Sequence, residues 1–411
     1  MNAREICRLC AMAAAIGIPM ALVAHSAPQN SPDVAVRLTA IQKTEVAIDT
    51  HDDTPQRMLW QNFDLAHRDA TGNIDIPRMR DGKLNGIFMS IWTPGTVPGP
   101  EASSRALKQI ELVRAQATKH SADLMLATTA AEIEKARQQG KIAVLMGMEG
   151  GHMINNDLDL LRKYAGLGVR YLTLTHSVND DWADSSTDKP VHNGLTPFGK
   201  QVVEELNRLG VMVDISHVSD KTFYDALEVT KAPVIASHSS CRALCDARRN
   251  MSDDMIRALA KNGGVMQINF HIGFLSQESD AVKAAGTNPQ ITEMEKNCGE
   301  DEACKVAGYQ RINDELTAAG KLPAVSWTRI VDHIDHAVKI AGAAHVGLGS
   351  DFDGAIMPQG MDDVSHYQQI AAELVRRGYS DQDVRNIMGG NVLRVMTEVE
   401  GVSRKMRGEK K

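Results

Sequence analysis

Positive charge is not in excess: Lys and Arg number 45 against 52 Asp and Glu, for a net charge of −7. That leaves no electrostatic footprint for nucleic acid. Beyond the N-terminus no segment approaches the ~18 unbroken apolar residues that a membrane-crossing helix needs, which excludes a span in the mature chain. Beyond the N-terminal Cys7 and Cys10 no C-x2-C pair occurs, which excludes a zinc ribbon. Internal repeats and low-complexity tracts are missing, and no Gly-rich cradle for phosphate stands near the last apolar runs. Aromatic residues make up only 4%, while Met is frequent with 20 copies. What is present is an ordinary globular balance, 43% hydrophobic and 24% charged over 411 residues, ample for one large core or two modest domains.

The N-terminal "MNAREICRLCAMAAAIGIPMALVAHSA" places Arg4 and Arg8 ahead of an apolar stretch from Leu9 to Ala24, with small residues at Ala24, Ser26 and Ala27. This is the layout of a cleavable secretory signal, assigned to residues 1–26. The alternative, an uncleaved anchor, is opposed by the shortness of the stretch and by Pro19 within it. The expected location is periplasmic or secreted. Cys7 and Cys10 leave with the signal, and Cys241, Cys245, Cys298 and Cys304 remain. In an oxidising compartment four cysteines permit three pairings, between which sequence does not choose. Cys298 and Cys304, in "NCGEDEAC", could close a small loop.

Short apolar runs alternate with helical patterns. The runs are "VAIDT" (46–50), "GIFMSIW" (86–92), "IAVLMGM" (142–148), "RYLTLT" (170–175), "VMVDIS" (211–216), "PVIAS" (233–237), "VMQINF" (265–270) and "VGLGS" (346–350). They are continuous more than alternating, as parallel strands buried on both faces are. Between them lie helices such as "TPFGKQVVEELNRLG", with Thr196 as N-cap, Pro197 in the first turn and Gly210 at the end. "SDKTFYDALEVT" follows the next run with Ser219 as its cap. Eight strands alternating with helices predict a (β/α)8 TIM barrel over residues 34–400, with a basic tail at 401–411. A doubly wound open sheet is the alternative. The connection at 271–345 is long and is expected to form an excursion near the mouth.

"AIDTHDDTP" (47–55) crowds Asp49, His51, Asp52 and Asp53 around the exit of the first strand. Asp is a common turn residue, but residues two apart on an extended segment share a side, so His51 and Asp53 could grip one ion. The other exits repeat the theme: Glu149 after the third strand, His176 after the fourth, His217 after the fifth, His238 after the sixth and Asp351 after the eighth. In a barrel these ends converge on one rim. Imidazoles and carboxylates suit zinc or another divalent transition metal. A single catalytic zinc takes about three protein ligands, whereas His51, Asp53, Glu149, His217 and His238 offer more, so two ions are expected, with Glu149 as the shared carboxylate. His152 is read as supporting the site rather than ligating. His333 and His336, in "VDHIDHAV", are read as packing contacts.

The chain resembles the membrane dipeptidase (renal dipeptidase) family of dinuclear zinc peptidases, in its bacterial branch. The matching stretches are "DTHDD", "MEGGHMIN", "GVRYLTLTHSVNDDWADS", "LTPFGKQVVEELNRLGVMVDISHVS", "APVIASHSS", "ARRNMSDD" and "HVGLGSDFDG", between residues 49 and 354, and the likeness runs on to about residue 396. The resemblance implies two Zn2+ per chain, with His51 and Asp53 on one ion, His217 and His238 on the other, and Glu149 bridging. It implies substrate-binding roles for His176, Arg249 and Asp351. It further implies hydrolysis of dipeptides, including those with a C-terminal D-residue, by a metal-bridged hydroxide, and a possible homodimer. Two departures stand in the opening motif: Thr50 replaces the usual Gly and Asp52 the usual Asn, which adds charge beside the first ion. Cys245 stands where the family has a disulfide cysteine, and the sequence does not choose its disulfide partner. The basic tail "GVSRKMRGEKK" does not carry the lipid-anchor signal of mammalian relatives.

On this reading Asp351 takes the attacking water's proton and passes it to the leaving amine, and His176 donates to the developing oxyanion. Asp353 is the near alternative to Asp351. Arg249 can hold a free carboxylate through two parallel hydrogen bonds, which limits the site to dipeptides; Arg248 is its neighbouring alternative. Another metal-dependent amidohydrolase, acting on N-acyl amino acids or lactams, would use the same barrel and ions.

Overall fold

Apolar runs with no polar face need both of their faces covered. All eight expected runs contribute strands to one parallel ring. The computed structural model describes residues 32–279, 289–299 and 301–409; the expected signal at 1–26 lies outside them. The strands are β1 (Ile48–Asp52), β2 (Gly86–Trp92), β3 (Leu124–Leu126), β4 (Ile142–Glu149), β5 (Val169–Thr173), β6 (Met212–Asp214), β7 (Ile235–Ala236), β8 (Val265–Ile268) and β9 (Val346–Leu348). The ring runs β1-β2-β4-β5-β6-β7-β8-β9. It comes back on itself where Asp52 bridges Phe352 in parallel and the Asp53 amide donates to the Phe352 carbonyl at 2.8 Å. This is a (β/α)8 barrel.

One strand was not expected. β3 pairs with the first half of β4, from Leu124 opposite Ile142 to Leu126 opposite Val144, while β5 takes the second half of that edge from Met146 onward. A run of three residues is too short to stand out from its flanks.

Two apolar layers hold the ring. Ile48, Phe88, Leu145, Tyr171, Met212, Ile235 and Val265 fill its interior, closed below by Val392, Val395, Met396 and Val399. The last four lie on the helix Asn391–Met406, which crosses residue 400, so the first residues of the expected tail continue it. The outer layer, with Ile87, Met89 and Ile91 of β2, packs against the helices. The caps form as the sequence prescribes: Thr196 accepts from the Gly199 amide, Gly210 ends its helix at φ 73°, and Ser219 accepts from the Thr222 amide.

The connection from β8 to β9 carries helices at Ile272–Leu275, Pro289–Cys298, Glu302–Ala318 and Thr328–Ala341. The disulfide Cys298–Cys304 closes a small loop within it. Cys241 and Cys245 are buried, and the Cys245 thiol donates to the Gly273 carbonyl at 3.5 Å. Among the described residues no helix is long and apolar enough to cross a membrane.

Candidate active site

Each predicted site residue but Arg249 lies within or just beyond the C-terminal end of a strand: His51 in β1 and Asp53 after it, Glu149 closing β4, His176 after β5, His217 after β6, His238 after β7, Asp351 after β9; Arg249 lies further along the connection after β7. Parallel strands bring all these ends to one rim. His51 reaches the interior through an irregularity. Between Asp49 and Asp52 the pairing of β1 with β2 slips, and such a bulge re-aims a side chain. Gly150, at φ 116°, takes the turn after Glu149 in a conformation that side chains rarely adopt.

Glu149 is the hub. Its Oε1 lies 2.9 Å from His217 Nε2, 3.2 Å from His238 Nε2 and 3.8 Å from His176 Nε2. Its Oε2 lies 3.5 Å from His51 Nε2 and receives the Ser90 hydroxyl at 3.3 Å. His51 Nε2 is also 3.8 Å from Asp53 Oδ2. Three groups have their ligand atoms within 4.8 Å of one another: His51, Glu149 and His238; Glu149, His176 and His217; His51, Asp53 and Asp351.

Residues below the cluster fix which imidazole nitrogen faces it, and these the sequence reading did not name. Tyr171 Oη lies 2.8 Å from His51 Nδ1, leaving Nε2 buried among carboxylates with no hydrogen-bond partner. Gly147 makes room for that phenol, since a Cβ there would fall 1.8 Å from the Tyr171 ring. On the other side Ser237 Oγ donates to Asp214 Oδ2 at 2.6 Å and meets His238 Nδ1 at 2.8 Å. A hydroxyl has one proton; given to the carboxylate, it leaves Oγ to accept Nδ1–H, and His238 Nε2 keeps its lone pair. Asp214 also accepts from the Ser216 and Ser237 amides and from Thr173. Such partners are how ligating histidines are oriented.

The charges ask for a cation. Burial holds His217 and His238 far below the usual imidazole range, so both are neutral lone-pair donors, and their Nε2 atoms face each other at 3.0 Å. Burial alone would lower His51 too, but Glu149, Asp53 and Asp351 outweigh it and push it to about 10. The carboxylates thus draw a proton onto His51 where a metal would supply the charge. The donor set, its convergence and the unpartnered His51 Nε2 fit divalent metal.

Arg249 is buried, with Nη2 donating to the His238 carbonyl at 3.0 Å and its guanidinium 5.4 Å from the Phe274 ring centroid. Burial lowers it to about 10, which leaves it charged at neutral pH. Arg248 is exposed. Asp351 accepts from Asn269 Nδ2 at 2.9 Å, and burial raises its pKa. Asp353 is committed elsewhere, to Thr54 at 2.5 Å and the Asn73 amide at 2.7 Å. His152 meets Thr93 at 2.9 Å. His333 accepts from the Cys241 amide at 3.0 Å and His336 pairs with Asp253 at 2.7 Å, both away from the rim.

A parallel barrel with histidines and carboxylates gathered at its C-terminal rim defines a metal-dependent hydrolase. The chain matches the membrane dipeptidase family (peptidase family M19) over residues 36–410, and it belongs to that family. It is accordingly a peptidase, a hydrolase of peptide bonds. It is 34% identical to dipeptidase 3 of Rattus norvegicus over 391 residues, covering 92% of this chain and 70% of that protein. The Mus musculus dipeptidase 3 gives the same identity and coverage. The crystal structure of the probable dipeptidase PvdM from Pseudomonas aeruginosa superposes with a TM-score of 0.76 at 28% identity, over 91% of this chain and all (100%) of that one. A metallo peptidase from Rhodobacter sphaeroides, liganded with a phosphinate mimic of the dipeptide L-Ala-D-Ala, superposes with a TM-score of 0.72 at 25% identity, over 87% and 99% of the two chains.

Proposed function

We propose that the protein is an exported zinc dipeptidase that accepts dipeptides with a C-terminal D-residue. The observation that carries this reading is the division of Glu149: Oε2 faces His51, and Oε1 faces His217 and His238. A carboxylate shared in this way suits two ions, one with His51 and Asp53, the other with His217 and His238. Zinc held there would polarise the scissile carbonyl and lower the pKa of bound water toward ~7. The Rhodobacter sphaeroides relative with its dipeptide mimic supports the substrate class.

The chain's own groups do the rest. Arg249 binds the substrate's terminal carboxylate, one residue beyond the scissile bond. His176 donates to the oxygen that gains charge as the carbonyl is attacked. Asp351, whose raised pKa suits a proton acceptor, collects the water's proton and delivers it to the leaving amine.

The test is a dipeptide and its C-terminal amide, assayed on native enzyme and Arg249→Ala with metal content measured. Loss of a charge-assisted bidentate contact should cut kcat/KM for the dipeptide by roughly 10²–10⁴-fold. The amide should be a poor substrate for the native enzyme and lose little more in the variant, the non-additivity expected of direct partners. Equal fold losses on both substrates would sink the clamp. Because Arg249 also holds the His238 carbonyl, unchanged metal content is part of the expected result. Export through a cleaved signal rests on the N-terminal layout; native protein that retains Met1 by mass spectrometry would refute it.

A further inference from the structure

The β2 column carries one more residue than the chemistry uses. Inward positions recur every second residue along a strand. Phe88 lies in the interior layer, its ring 5.4 Å from Tyr171, and Ser90, one layer up, reaches Glu149. Trp92 is the next, above the cluster. The register sets it opposite Glu149, and its ring meets His176 edge-on with centroids 5.2 Å apart. Its backbone is pinned at both ends: its amide donates to Gln109 Oε1 at 2.9 Å, and its carbonyl accepts from Gln109 Nε2 at 2.6 Å and Gln56 Nε2 at 2.8 Å. The indole is half-buried, its Nε1 edge enclosed and its ring against His176.

Its place in the ring gives it meaning. In the order β1-β2-β4-β5-β6-β7-β8-β9, β2 and β7 stand diametrically opposite. Arg249 is tied to the β7 exit through the His238 carbonyl. A dipeptide with its carboxylate on Arg249 and its scissile bond over Glu149 therefore extends its N-terminal residue toward β2.

We propose that Trp92 is the wall against which the side chain of the substrate's N-terminal residue packs, a specificity-determining residue that favours large apolar side chains there. The inference rests on the dipeptidase reading and on Arg249 as the carboxylate anchor. An aliphatic side chain laid on an indole leaves water, and the removal of that surface should carry tenfold or larger discrimination.

The experiment compares Leu-Ala with Gly-Ala, and Ala-Leu with Ala-Gly, on native enzyme, Trp92→Phe and Trp92→Ala. The native enzyme should prefer Leu-Ala over Gly-Ala. In Trp92→Ala the ratio of their kcat/KM values should fall about tenfold or more, with Trp92→Phe between, while the Ala-Leu to Ala-Gly ratio stays within about threefold. A uniform loss that leaves the first ratio unchanged would overturn the wall and make Trp92 a prop for His176. A change confined to the second ratio would overturn the assigned polarity. Trp92→Phe carries the test alone if Trp92→Ala does not fold. Failure of the dipeptidase reading is told apart because it appears in the native enzyme, as inactivity on all four dipeptides.

Discussion

Replacing Tyr171 by Phe removes one hydroxyl and almost nothing else. The ring that fills the barrel interior against Phe88 and above Gly147 is retained, so packing should survive. What is lost is the partner of His51 Nδ1, 2.8 Å away in a fully buried setting. A buried donor left unpaired costs about 1–3 kcal/mol. With Nε2 on the ion, Nδ1 carries the proton, so the cost falls on the bound state, and His51 is also freer to turn away from it. Partners of ligating histidines are typically worth 10–100-fold in metal affinity, the same range. The larger loss should fall on the His51 position: the Tyr171 hydroxyl also reaches Ser237, but Ser237 keeps Asp214 as its partner and so keeps His238 oriented. The assay is a competitive titration of metal-free protein with zinc against a chromophoric chelator, fitted to two sites. One dissociation constant should rise about 10–100-fold and the other stay within about threefold. Two unchanged constants would show that the Tyr171 contact does not orient a ligand. Equal weakening of both would mean that the substitution had disturbed the rim as a whole.

Glu149→Gln should weaken both metal positions together, because it removes the charge shared between His51 and the His217–His238 pair; full occupancy by elemental analysis would rule out the bridge. Gly147→Ala should destabilise the fold by about 1–3 kcal/mol or more, since the new methyl would fall 1.8 Å from the Tyr171 ring. A denaturant midpoint equal to that of the native protein would refute the close contact.

The ring was legible because burial on both faces leaves continuous apolar runs, and the rim because chemistry there needs residue types that strands otherwise avoid. What lay hidden was direction. A run such as "GIFMSIW" does not tell which alternate residues face inward, so Ser90 and Trp92 gave no sign of their place beside Glu149 and His176. Tyr171 reads as one more apolar strand residue until the phenol is seen at His51. Asp214 and Ser237 look like ordinary polar strand-end residues, and their value lies in a chain of hydrogen bonds that crosses from β6 to β7. Asp351 and Asp353 share a motif and a spacing; they part only because Thr54 and Asn73 claim Asp353.

Asp52 shows the limit of reading charge from sequence. Its carboxylate in place of the family's Asn suggests added charge beside the first ion. In the barrel the side chain turns instead toward the start of the next helix, where Oδ1 accepts from the Thr54 amide at 2.8 Å. Burial, reinforced by Asp353, raises its pKa above the usual carboxylate range, against the Thr54 hydrogen bonds that favour the anion. Thr50, the other departure, donates to the Ser237 carbonyl at 2.6 Å, fastening β1 to the residue that orients His238. Asp52 is spent on the first turn of the next helix, and Thr50 adds a strut from β1 to Ser237.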